Sequence, residues 1–188
     1  MMNVKYQGHQ EMHVDKNEKR IIVPGKVNGL YFENPARHLI VADEGNEEGK
    51  TLFRTDVTPT EFYNALLEIG AEPGDNMVYE TAQEQHVEGQ PLDIHVVWEG
   101  SDQVYSVDDL IEDSKGNSTD FRFAGNIETS KEKGTGCLVC LDSCYISPVS
   151  NHTYTFGAIK KRDEVSFPAN KDIVPEDGTP VDIIISMK

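Results

Sequence analysis

Thr58-Pro59-Thr60-Glu61-Phe62-Tyr63-Asn64-Ala65-Leu66-Leu67-Glu68-Ile69-Gly70 is the stretch from which the fold class is read. Thr58 is placed as a helix N-cap, Pro59 as the first helical residue and Glu61 as the acid three positions after the cap. Phe62, Ala65, Leu66 and Ile69 then fall on one face at helical spacing, with Leu67 at its margin. Gly70 ends the helix as a C-terminal glycine does. No other segment carries so clear a helical signal. The apolar runs around it are short, β-branched and bounded by turns. The expected class is therefore α+β: a mostly antiparallel twisted β-sheet with one main helix, about residues 59–69, packed across it.

Upstream, Met1 to Lys19 is polar and reads as a loosely ordered terminal segment or an edge strand (about residues 1–19), with His9 and His13 four apart. Ile21-Ile22-Val23 is a strand cut by Pro24-Gly25, and Asn28-Gly29 is a hairpin signal leading into Leu30-Tyr31-Phe32. His38 to Ala42 and Thr51 to Arg54 are further strands, separated by the acidic turn Asp43 to Gly49, so the opening quarter reads as an antiparallel meander. Downstream, Leu92 to Trp98 alternates. Asp93, His95 and Val97 share one face, and Leu92, Ile94, Val96 and Trp98 the other. Gln103 to Tyr105 is a short strand, and Ser106 caps a short helix with Asp108 and Asp109 in its first turn. Phe121 to Gly125, Thr153 to Ile159 and Val181 to Ile185 read as strands, the last apolar enough to lie inside the sheet. The charged segment Glu128 to Gly136 reads as a connection.

The whole chain bounds its class. At 188 residues it is expected to form a single domain, residues 1–188. The formal net charge of −16 repels phosphate backbones and anionic lipid, which excludes nucleic acid as a partner and favours a cation or a basic protein surface. No apolar run approaches the roughly 20 residues that span a bilayer, so no membrane insertion is expected. Met1 to Glu18 has no apolar leader core. As read, the chain is expected to be cytoplasmic, and exported if a signal precedes Met1.

All three cysteines lie in Gly136-Cys137-Leu138-Val139-Cys140-Leu141-Asp142-Ser143-Cys144, spaced C-x2-C-x3-C. An odd number in a tight cluster is not a disulfide framework. A C-x2-C turn lets two thiolates converge on one soft or borderline ion. The run resembles the tail of a ferredoxin ligand series, with one cysteine missing and Tyr145 where a proline would stand. A fourth ligand is needed from His152, Asp142, another chain or outside. His152, eight residues downstream, ranks first. The candidate metal ligands are thus Cys137, Cys140, Cys144 and His152, for Zn2+ or an iron–sulfur cluster. Two other readings remain open: a thiol-dependent redox enzyme, with thiol exchange in the C-x2-C pair and a redox partner protein, and a structural interaction domain in which the cysteines are inert and packed in a buried strand. No catalytic motif accompanies the cluster, so the expectation leans to a non-catalytic binding or accessory domain.

Gly134 to Cys144, with Val149-Ser150-Asn151 and Tyr154-Thr155-Phe156-Gly157, resembles the YdjY-type bacterial domain. So does Thr58 to Leu67 with Gly70-Ala71-Glu72-Pro73-Gly74. The resemblance runs from about Val14 to the C-terminus. That family is largely uncharacterised and supplies no catalytic residues to carry over. Some of its members are exported or sit beside iron–sulfur modules, so the resemblance implies a redox setting as one possibility and leaves the compartment open.

Overall fold

The Leu92–Trp98 alternation is realised as strand β5 (Pro91–Trp98), with Leu92, Ile94, Val96 and Trp98 in the main core and Val97 turned to the opposite face. The structure, a computed structural model, describes residues 4–29, 35–45 and 50–188. The expected strand Leu30-Tyr31-Phe32 and residues 46–49 of the acidic turn lie outside the described residues. The other strands are β1 (His13–Asp15), β2 (Arg20–Val27), β3 (His38–Ala42), β4 (Thr51–Thr55), β6 (Tyr105–Ser106), β7 (Phe121–Phe123), β8 (Cys137–Cys140), β9 (Val149–Asn151) and β10 (Pro180–Met187).

These strands close on themselves. The order β2-β10-β5-β7-β9-β8-β3-β4 returns to β2 through Lys26↔Arg54 and Val27↔Phe53, giving a barrel of eight strands. β1 adds to β2 and β6 to β5 outside that ring. A barrel of eight strands is just wide enough to be filled by its own side chains. Ile21 and Val23 of β2, Ile183 and Ile185 of β10, Phe53 of β4 and Phe123 of β7 belong to the one main core.

The expected open sheet covered by a main helix is therefore wrong. The helix exists, as α1 (Pro59–Glu68), with Thr58 Oγ1 accepting the Glu61 N–H at 3.2 Å and Phe62, Ala65 and Leu66 buried. It adds these side chains to the core, but closure of the barrel already hides the sheet's inner face. The meander is corrected too. β3 and β4 run parallel, as do β8 and β9, while the other ladders are antiparallel. β2 also runs straight through Pro24-Gly25. β1 pairs with Arg20 to Ile22 and β4 with Lys26 and Val27, so Pro24 falls in the gap between them. Its missing N–H breaks no ladder on that side.

Two further expectations change. The charged connection forms α3 (Ile127–Lys133), with Gly134 in the left-handed region at its C-terminus. The short helix expected after Ser106 is present as α2 (Val107–Leu110), with a capping box between Ser106 and Asp109. Thr153 to Ile159 is not a strand. Arg162 donates to the Phe156 carbonyl at 2.9 Å and to Thr155 Oγ1, and the Lys161 and Arg162 N–H groups both reach the Gly157 carbonyl. Those bonds wind the segment into turns and take the backbone groups a strand would need. Among the described residues no helix is long and apolar enough to cross a membrane.

Candidate metal centre

A pair of compensating irregularities in the β3–β8 ladder builds the site. His38 is opposite Cys140, Ile40 opposite Val139 and Val41 opposite Cys137, so each strand accommodates one extra residue. In β3 the consecutive residues Leu39 and Ile40 both enter the main core; in β8 Leu138 and Val139 do the same. A regular strand would send residues three apart to opposite faces. The bulges instead return His38 and Val41, and Cys137 and Cys140, to a common face. There Val41 and the three cysteines form a small separate cluster, with Ile146 and Phe156 packed against it.

The ligand atoms converge. His38 Nδ1 is 3.2 Å from Cys140 Sγ and 3.2 Å from Cys137 Sγ, and the two sulfurs are 2.8 Å apart. All three residues are buried, and together they are the one group of three or more potential ligands among the described residues whose donor atoms gather tightly. The chain arrives under constraint. Gly136 has φ +77°, and a Cβ on it would lie 2.5 Å from Gly45 Cα. Its carbonyl accepts the Ala42 N–H at 2.8 Å, which ties the start of β8 to the end of β3.

Cys144 lines the same cavity, of about 390 Å³, and its Sγ accepts the Ile146 N–H at 3.3 Å. It is not one of the three converging donors. His152 is occupied elsewhere: its Nδ1 is 2.6 Å from the Val87 carbonyl and its ring packs on His86. The imidazole beside the cysteines is thus that of His38, which sequence reasoning passed over as an ordinary strand residue. Nothing local marks it, because 99 and 102 residues separate it from Cys137 and Cys140.

The surroundings disfavour bare thiolates. Burial, followed by the Cys137 thiol, pushes Cys140 up to about 11. The Cys140 thiol and burial push Cys144 well above its ordinary value. Burial also raises Asp142 to about 6, against the pull of the Gly157 N–H, His38 and Arg37. Arg37, Lys160 and Lys161 line the cavity too, so an acidic protein here presents cationic groups. Lys131 and Lys133, which lie closer to the cysteines in sequence, belong to α3 and do not line the cavity.

Residues 12–186 match the family described as the YdjY domain. This chain belongs to the YdjY domain family. It is 44% identical over 179 residues to the uncharacterised protein YdjY of Escherichia coli (strain K12), a match spanning 94% of this chain and 80% of that protein. No solved structure matches the chain. The matched YdjY region includes His38, all three cysteines and every strand but the last residue of β10.

Proposed function

We propose that this YdjY domain is a binding or accessory domain that holds a single thiophilic metal ion through Cys137 Sγ, Cys140 Sγ and His38 Nδ1, with Cys144 as the fourth ligand. The observation that carries this reading is the convergence of two sulfurs and one imidazole nitrogen within 3.2 Å of one another on a bulged face. Three thiolates and an imidazole are an established zinc set. Two thiolates on one ion at about 2.3 Å stand roughly 3.8 Å apart at a tetrahedral angle. Loading therefore spreads the sulfurs by about 1 Å and draws Cys144 inward, whereas an iron–sulfur cluster would demand a far wider separation. The single ion, of the Zn2+ type, is accordingly favoured.

Electrostatics support the same choice. Buried thiols with raised proton affinity, as at Cys140 and Cys144, need a nearby positive charge to ionise, and a divalent ion supplies it. The test is elemental analysis of anaerobically purified protein, wild type against Cys140→Ser and His38→Ala. Stoichiometric zinc in the wild type, lost in both variants, is expected. Wild-type protein that stays free of metal after incubation with Zn2+ would sink the reading.

The 2.8 Å sulfur contact favours one second reading, a Cys137–Cys140 dithiol that exchanges with a partner's disulfide. It requires a thiolate to attack, which the raised Cys140 works against. Rapid alkylation of the metal-free protein near neutral pH would favour it; slow alkylation leaves the metal site as the better account.

A further inference from the structure

His86 and His152 clasp each other through the backbone. His86 Nδ1 is 2.5 Å from the carbonyl of His152, and His152 Nδ1 is 2.6 Å from the carbonyl of Val87, the neighbour of His86. A carbonyl oxygen can only accept, so both Nδ1 atoms carry hydrogen. In the neutral rings each Nε2 is then left with a free lone pair. A backbone carbonyl on one ring nitrogen is the arrangement that fixes a histidine to ligate through the other. Neither Nε2 makes a hydrogen bond within the described protein. The ring centroids are 5.2 Å apart with the planes inclined at 41°. Two imidazoles on one ion at roughly 2.0–2.1 Å per nitrogen place their centroids about 5 Å apart.

The geometry points to a second metal site, in which His86 Nε2 and His152 Nε2 bind one divalent transition-metal ion of the imidazole-preferring class, Cu2+, Ni2+ or Zn2+. The pair is rigidly held. The Val87 N–H donates to Ser143 Oγ at 2.9 Å, Ser143 Oγ donates to the Asn151 carbonyl at 3.1 Å, and the His152 N–H donates to the Asp120 carbonyl at 2.7 Å. The Asp120 carboxylate is committed to Arg122 through both oxygens, at 2.8 and 3.0 Å, and supplies no ligand. The remaining coordination positions fall to water or to the donor atoms of a bound molecule. His86 is exposed and His152 partly so, which leaves the ion open to solvent. The site is independent of the thiols and stands whether or not they bind metal.

The test is long-range 15N–1H spectroscopy of the histidine rings during titration with Ni2+. Before metal, both rings should show the Nδ1-protonated tautomer. On addition, the Nε2 signals of His86 and His152 should be lost together. In His86→Ala the response of His152 should need at least tenfold more Ni2+. A second variant, His86→Gln, keeps a donor for the His152 carbonyl and should give the same loss of affinity, which separates coordination from support of the loop. An Nε2-protonated tautomer for either ring, or a His152 response unchanged in both variants, would overturn the site. The His38 signals report the thiol site separately in the same spectra.

Discussion

His38 and Cys140 are partners across the β3–β8 ladder, and their Nδ1 and Sγ atoms meet at 3.2 Å. This contact brings an imidazole and the cysteine run together on one buried face. It also depends on the two bulges, because a register shift of one residue would turn either side chain into the core. A ligand role for His38 predicts that His38→Ala weakens Zn2+ binding at the thiols at least tenfold, measured by competition with a chromogenic chelator. His152→Ala should leave that affinity unchanged, since its ring lies against His86 and the Val87 carbonyl. Equal losses in the two variants would contradict the assignment.

The cysteine spacing was legible in the sequence, and so were most of the strands that carry the barrel. The alternation of β5 set its faces correctly, because it depends only on neighbours two residues away, and the apolar run in β10 marked an interior strand, which lies between β2 and β5. The helix was also placed correctly from its cap. Its prominence misled the fold, since a strong local signal says nothing about how strands close. Closure rests on two residue pairs between β2 and β4, and on β10 inserting between β2 and β5 from the far end of the chain. Those pairings are non-local and leave no periodicity. The same limit hid His38, and it made His152 the attractive ligand by nearness in sequence alone.

Metal binding to the folded site alone must raise stability. For one site, free metal at 100 times Kd adds about 2.7 kcal/mol. Thermal unfolding of the metal-free protein should therefore shift upward by several degrees with excess Zn2+ and return with a chelator. In Cys140→Ser placed in a His86→Ala background, which removes the imidazole pair as well, the shift should vanish. An identical shift in that variant would show that the stabilising ion binds elsewhere.

The turn before the cysteines is predicted to be intolerant of a side chain. Gly136→Ala must place a Cβ 2.5 Å from Gly45 Cα and hold a positive φ. One of these backbones has to move, and strain of this kind costs on the order of 1–3 kcal/mol. Because the Gly136 carbonyl also binds the Ala42 N–H, the displacement should reach the β3–β8 ladder. The expected result is a lowered urea midpoint together with weaker Zn2+ binding. Unchanged stability would mean that the Gly45 turn yields freely.

The helix cap offers a cleaner energetic test away from the site. Thr58 Oγ1 accepts the Glu61 N–H, and the Glu61 carboxylate accepts from the same hydroxyl at 3.0 Å. Thr58→Ala removes both bonds and should cost about 1 kcal/mol. Metal affinity should not change, since α1 supplies no ligand. A loss of metal in this variant would tie the helix to the site in a way the geometry does not.

Acid should remove one identifiable contribution to stability. The Arg122 guanidinium holds the Asp120 carboxyl below its ordinary 3.8, against the opposing effect of burial. A carboxyl depressed in the folded state stabilises it fully above the unfolded value, and that contribution fades as pH falls through the folded one. The pair is partly exposed, at 23% and 31%, so solvent screening limits it to about 0.5 kcal/mol. Asp120→Asn should therefore be less stable than wild type by about that amount at pH 7, read from urea unfolding. The two proteins should converge at pH values well below 3.8, where Asp120 is protonated in both states. A difference that persists there would assign the effect of the substitution to packing instead of charge.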